Sequence, residues 1–210
     1  MIRVVIVDDH AVVRRGLRQI LADVDDIELV GEVADYASLS ALLREAVPDV
    51  ALLDISMPGR SGIDALRSLR EQYPKLHVLI LSMFPEDQYG LRALKAGAAG
   101  YLNKDAAPEK LVEAVRTAAA GRKYVSPALA AILAERLGEP AAGAPHERLS
   151  DREFETLKLI AAGRKLSEIA EQLHLSPKTV SVYRARLLEK MNLRTNTELT
   201  HYALKHGLID

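Results

Sequence analysis

A chain of 210 residues that is 49% hydrophobic and holds no cysteine has material for one large core or two small ones, and no disulfide framework, thiol nucleophile or cysteine metal site. No apolar run approaches the ~20 residues of a membrane span, and the apolar start at 2–7 is cut off by Asp8-Asp9-His10, too soon for a secretion signal, so a cytoplasmic protein without a membrane partner is expected. Of 28 basic and 29 acidic residues, 146–210 hold 11 and 9, leaving 17 and 20 for 1–145; a net +2 behind a net −3 suits a polyanion-binding rear half, and ordinary scatter would also produce it.

Residues 2–7 read as a buried parallel strand ending at Asp8-Asp9. A helical period starts at Ala11, with Val12, Val13, Gly16, Leu17, Ile20 and Leu21 on one face. Strands follow at 27–33, 50–53, 76–81 and 100–102, and helices at 36–47, 63–73, 85–96 and 108–120. Pro48 ends the second helix, Gly97 caps the fourth, and Pro108 starts the fifth. Five strand–helix units predict a doubly wound α/β domain over 1–121 with a flavodoxin-like parallel sheet of order 2-1-3-4-5. One more helix is predicted at 126–137. Residues 138–145, with four Pro or Gly and no period, predict a flexible linker, so 122–147 is read as a linker carrying one helix.

The remainder, 148–210, reads as a small all-α domain of four helices. Ser150-Asp151-Arg152-Glu153 is a capping box opening a helix to Ala161. Helices at 166–173, 177–191 and 195–206 follow, with Ser176-Pro177 as N-cap and first position of the third.

In the expected strand order, the first and third strands are neighbours at the switch point of the sheet. Asp8 and Asp9 then stand beside Asp54, the acid that ends the strand Val50-Ala51-Leu52-Leu53. Three carboxylates at close range repel one another. A hard divalent cation, Mg²⁺, relieves this and leaves one carboxylate as a nucleophile. Ser82 follows the fourth strand and Lys104 the fifth, so a hydroxyl and an ammonium reach the same end of the sheet. Singly each is unremarkable: Asp8 could cap the next helix, and Lys104 could be a surface lysine. His10 reads as an orienting or surface residue rather than a ligand.

The second-half pattern of helix, tight turn and N-capped helix is a helix-turn-helix. On a wheel, Val180, Leu187 and Met191 share one face of 177–191, and Lys178, Ser181, Val182, Ala185, Arg186 and Glu189 share the opposite one. Lys178 and Arg186 suit phosphate or guanine, and Val182 and Ala185 suit thymine methyl groups. Thr179, Lys190, Lys165 and Arg194 are further phosphate candidates, and Arg184 points inward but can snorkel to the rim. A merely solvated charged face remains the alternative.

Asp8-Asp9, Asp54 with Met57-Pro58-Gly59 and Gly62, Ser82, and Tyr101 with Lys104 resemble the receiver domain of two-component response regulators. Leu149-Ser150-Asp151-Arg152-Glu153, Glu168-Ile169-Ala170, Leu175-Ser176-Pro177-Lys178-Thr179-Val180 and Glu189-Lys190-Met191 resemble the LuxR-type helix-turn-helix. Together they are similar to the NarL/FixJ family, nearest its GacA/UvrY, BvgA and EvgA group. The resemblance implies that Asp54 accepts phosphate from a sensor histidine kinase. It implies that Asp8, Asp9, Asp54 and the main-chain carbonyl of Ser56 hold Mg²⁺, that Lys104 contacts the phosphate, and that Ser82 and Tyr101 switch, with Tyr101 turning inward. It also implies a homodimer on promoter DNA, paired through the last helix, with RNA polymerase an open partner. Leu199, Tyr202, Ala203 and His206 are placed either for that pairing or for core packing. Ser82 stands where many members carry Thr; Ser181 and Tyr183 stand where many carry Lys and His, which leaves base readout to Lys178, Val182, Ala185 and Arg186. Two rivals stay open: a phosphatase using an aspartyl nucleophile, and a regulator that binds DNA without phosphorylation and uses the receiver to dimerise.

Overall fold

The computed structural model describes residues 1–55, 57, 62–137 and 144–209. The chain forms two compact units, Met1–Gly138 and Glu139–Asp210.

In the first unit, strands β1 (Ile2–Val7), β2 (Ile27–Val33), β3 (Val50–Asp54), β4 (His77–Ser82) and β5 (Gly100–Asn103) alternate with helices α1 (Ala11–Ala22), α2 (Tyr36–Glu45), α3 (Gly62–Gln72), α4 (Glu86–Ala96) and α5 (Pro108–Ala119). The sheet is parallel in the expected order β2-β1-β3-β4-β5. β3 is buried at every position, because a central parallel strand is covered on both faces. Successive side chains alternate between those faces. Val4, Ile6, Val50, Leu52, Leu79 and Leu81 enter one core cluster with Leu21 of α1 and Leu111, Val115 and Ala118 of α5. Val5, on the other face, lies near Leu42 of α2 where both approach Gly31.

The helix expected at 126–137 forms as α6 (Pro127–Leu137) and belongs to this first unit, where it packs on α4. It is therefore not a free spacer: its Leu129 is fully buried. Residues 138–143 of the expected flexible segment lie outside the described residues.

The second unit contains a short 3₁₀ helix (Pro145–Arg148) and helices α7 (Asp151–Ala161), α8 (Leu166–Gln172), α9 (Pro177–Met191) and α10 (Asn196–Lys205). The 3₁₀ turn was not expected. Its His146 is buried, stacks on Phe154 and meets the Tyr202 hydroxyl through Nδ1 at 2.8 Å. α7 carries the expected capping box: Ser150 Oγ accepts from Glu153 N, and Glu153 Oε2 accepts from Ser150 N. Between α8 and α9 the chain turns through His174 in the left-handed region (φ 53°), and Leu175 N donates to Ala170 O. Ser176 then caps α9 by accepting from Thr179 N, the role its hydroxyl fills at an N-cap.

Candidate functional site

Sheet register builds the first site. Val7 pairs with Leu53, so Asp8 and Asp54 each follow one member of a neighbouring pair. Asp54 pairs with Leu81, just before Ser82, and Ser82 pairs with Asn103, just before Lys104. Four side chains from four strands thus reach one end of the sheet. Lys104 N donates to Ser82 O at 2.8 Å, fixing the last step.

The site is sealed. Asp8 and Asp54 are 1% exposed and Ser82 is fully buried. Lys104 Nζ lies 2.7 Å from Asp8 Oδ2 and 2.8 Å from Asp54 Oδ2, bridging two carboxylates that would otherwise repel. Burial pulls the pKa of the ammonium down, but Asp54 and Asp8 outweigh it and hold the lysine above its ordinary range. Asp8 Oδ1 accepts from His10 N at 2.8 Å, and Arg14 Nη1 donates to Asp8 O at 2.6 Å. His10 Nδ1 lies 2.8 Å from Asp9 Oδ1 and 3.3 Å from Asp8 Oδ1, while the rest of its side chain is exposed. Asp8, Asp9, His10 and Asp54 each bring one ligand atom within 4.8 Å of the others.

Ser82 and Tyr101 meet through the segment that follows β4. Phe84 N donates to Ser82 Oγ at 3.0 Å, and Tyr101 Oη donates to Phe84 O at 2.8 Å. Tyr101 is fully buried. Burial pushes its hydroxyl pKa well up, against the Ser82 hydrogen bond, and the charges of Glu86, Asp54 and Asp87 add to the rise. The Tyr101 ring thus lies inside, the position expected of it in the switched state. Ser56, expected to offer its carbonyl to Mg²⁺, lies outside the described residues.

The second site is a surface. Val180, Leu187, Leu188 and Met191 of α9 are buried. Lys178, Ser181, Val182, Ala185, Arg186 and Glu189 are exposed on the other side, as the wheel predicts. Ser181 Oγ donates to Pro177 O at 3.0 Å, so its hydroxyl is turned back on the helix. Thr179 Oγ1 and Ser176 Oγ form a hydrogen bond at the cap. Arg184 does reach the rim, where Nε donates to Asn196 Oδ1 at 2.7 Å. Lys190, expected at a DNA phosphate, has its half-exposed Nζ 2.7 Å from Oε2 of the buried Glu153. Lys165 is exposed at the start of α8, with Glu168 Oε2 accepting from its N at 3.1 Å. On α10, Leu199 and Ala203 are fully buried and belong to the core, whereas Tyr202 and His206 stack on each other with centroids 4.2 Å apart.

Comparison with known proteins agrees with both halves. Residues 4–116 match the response regulator receiver domain, and 147–203 match the luxR family of bacterial regulatory proteins. The response regulator GacA of Pseudomonas protegens is 40% identical over 210 residues, covering all of this chain and 99% of the relative. The response regulator UvrY of Escherichia coli K12 is 40% identical over 209 residues, covering 99% of this chain and 96% of the relative. The chain belongs to the response regulators that carry a luxR-family domain. Among solved structures, RcsB of Salmonella enterica serovar Typhimurium, bound to promoter rprA in the presence of the phosphomimetic BeF₃⁻, is 30% identical with a TM-score of 0.66. That match covers 96% of this response regulator and 97% of RcsB.

Receiver domains typically bind Mg²⁺ at an acidic pocket, and the donor set here fits one. Asp8, Asp9 and Asp54 supply oxygen atoms close enough together for a single hard cation. Two groups that contact Asp8 escape the sequence pattern. His10 was legible only as a neighbour of two acids, and Arg14, one helical turn beyond it, gave no motif at all.

Proposed function

We propose that this response regulator is a phosphorylation-controlled DNA-binding transcription regulator in which Asp54 is the phosphoacceptor. The observation that carries the reading is the register-driven meeting of Asp54, Asp8, Ser82 and Lys104 at one end of the sheet. An Asp54 carboxylate oxygen attacks the phosphorus of a phosphohistidine on a sensor kinase; the P–O bond forms, the P–N bond breaks, and the imidazole leaves. Lys104 is placed to neutralise the added charge as a point cation. Ser82 can rotate its hydroxyl from Phe84 N to a phosphoryl oxygen. Mg²⁺, held by Asp8, Asp9 and Asp54 with the Ser56 carbonyl, would supply neutralising charge to the incoming group. His10 orients Asp8 and Asp9, and Arg14 anchors the main chain at Asp8.

The output is promoter binding by α9. Its exposed face presents Lys178, Val182, Ala185 and Arg186 to the major groove, with Thr179 and Lys165 toward phosphates. Ser181 contributes shape rather than charge, and Lys190 holds α9 to α7. A homodimer would place two such helices about one DNA turn apart; the exposed Leu204 on α10 suits that pairing. RcsB bound to promoter DNA supports this reading by likeness. No helix among the described residues is long and apolar enough to cross a membrane.

The test is the intact mass of the protein after incubation with Mg²⁺ and a small-molecule phosphodonor or a phosphorylated kinase. One added phosphoryl group in wild type and none in Asp54→Ala is expected. Uptake by Asp54→Ala, or none by folded wild type from either donor, would overturn the assignment.

A further inference from the structure

Helix α6 sits on the part of the receiver that connects directly to the Asp54 pocket. From the pocket outward, Ser82 Oγ accepts from Phe84 N, Tyr101 Oη donates to Phe84 O, and the Phe84 ring stacks on Tyr89 with centroids 4.8 Å apart. Tyr89 is followed by Gly90, the point where α6 touches down. A Cβ at Gly90 would lie 2.9 Å from Leu129 Cδ1 and 3.1 Å from Cδ2, and Leu129 supplies all three of its nearest atoms. Leu129 is fully buried.

A glycine in the middle of a helix lowers helix propensity relative to alanine. Its position under Leu129 gives that weakness a structural reason, since it lets the two helices close. A second contact holds the start of α6: Ser126 Oγ donates to Glu86 Oε2, and accepts from Leu129 N at 3.1 Å. The approach to α6 is pinned separately. Tyr124 N donates to Ala99 O at 2.7 Å beside β5, and Lys123 Nζ donates to the carbonyls of Gly97 and Ala98. Beyond Tyr124, the start of α6 meets Glu86 and Gly90, two residues in the first half of α4.

We propose that α6 is a latch on α4, closed by Leu129 on Gly90 and by Ser126 on Glu86, and that phosphorylation of Asp54 loosens it. The proposal rests on Asp54 being the phosphoacceptor. When the Ser82 side chain rotates toward the phosphoryl group, its Oγ leaves Phe84 N and residues 83–85 shift. The start of α4 moves with them, carrying Glu86 and Gly90 away from Ser126 and Leu129. Released α6, the last element before residues 138–143, lengthens the tether to the luxR-family unit. Such coupling is reciprocal: if the phosphoryl group opens the latch, opening the latch must favour the phosphoryl group.

Two variants open it by opposite means. Leu129→Ala removes the side chain that seats, and Gly90→Leu fills the seat. The full-length protein is titrated with beryllofluoride and Mg²⁺ by ¹⁹F NMR, and hydrogen exchange is followed at the amides of 127–137. Expected are faster exchange at 127–137 when wild type binds beryllofluoride, fast exchange in both variants without it, and beryllofluoride affinity raised about five-fold or more in both. Wild type that binds beryllofluoride with unchanged exchange at 127–137 overturns the latch while leaving the phosphoacceptor intact. Variants that exchange fast with wild-type beryllofluoride affinity also overturn it. Wild type that takes no beryllofluoride overturns the phosphoacceptor assignment, and the latch with it. Unchanged core amides in β1 and β3 show that each variant is folded.

Discussion

The acid pocket of the receiver is built on two buried carboxylates bridged by one lysine, whereas the outer face of α9 is exposed and receives its definition from what it binds. In the pocket, Lys104 bridges Asp8 and Asp54, and strand register places all three. On α9, Lys178 and Arg186 share a face with Val182 and Ala185, and a solvated helix could have the same composition. Burial makes a charge cluster expensive unless it has a use, so the pocket testifies to its own chemistry. An exposed face carries no such cost and draws its reading from likeness to other luxR-family domains.

The contrast is sharpest at Asp54. Asp54→Ala should abolish phosphoryl uptake completely while leaving the far-ultraviolet circular dichroism unchanged; residual uptake would place the acceptor elsewhere in the cluster. Lys104→Ala should cost about 3 kcal/mol of stability without Mg²⁺, because it leaves two buried carboxylates facing each other. Added Mg²⁺ should restore much of that loss in urea denaturation. A loss below about 1 kcal/mol, the size of an exposed pair, would show that Lys104 does not hold the two buried carboxylates together.

The same test applied to α9 has smaller expected effects. Arg186→Ala should weaken specific DNA binding by about 1–3 kcal/mol with relaxed base preference. Lys178→Ala, if it contacts phosphate alone, should lower the salt slope by about one without changing preference. Lys190→Ala should do neither. Its ammonium is half-exposed, so its pair with Glu153 contributes under about 1 kcal/mol to stability. Glu153 adds a pH signature. Burial raises its carboxyl pKa, but Lys190 and Ser150 outweigh burial and hold it below the ordinary 4.5. A depressed carboxyl contributes stability above the unfolded value and loses it as pH falls through the folded one. The second unit should therefore weaken below about pH 4.5, and Lys190→Ala should shrink that acid-side loss, as seen in pH-dependent thermal melts.

These differences also explain what was legible in the sequence. Strand periodicity and the acids after Val7 and Leu53 led directly to the sheet order and to the pocket, because parallel topology leaves few ways to place them. The Ser150 and Ser176 caps were equally plain, being local. The partners of Lys190 and Arg184 were not, because Glu153 and Asn196 lie on other helices and nothing in the spacing pairs them. Leu199 and Ala203 could not be told from pairing residues, since a dimer face and a core face share one period. The seat of α6 on Gly90 was invisible for the same reason: a glycine in a helical pattern signals a close approach without saying to what.

The most direct test of phosphorylation control is the affinity of full-length protein for a duplex that it selects from a random pool, at fixed salt, with and without beryllofluoride and Mg²⁺. Wild type should bind that duplex more tightly with beryllofluoride, and Asp54→Ala should bind it equally with and without. Equal affinity for wild type in both conditions, with beryllofluoride shown to be bound, would contradict phosphorylation control and leave a DNA-binding protein whose receiver serves only to bring copies together.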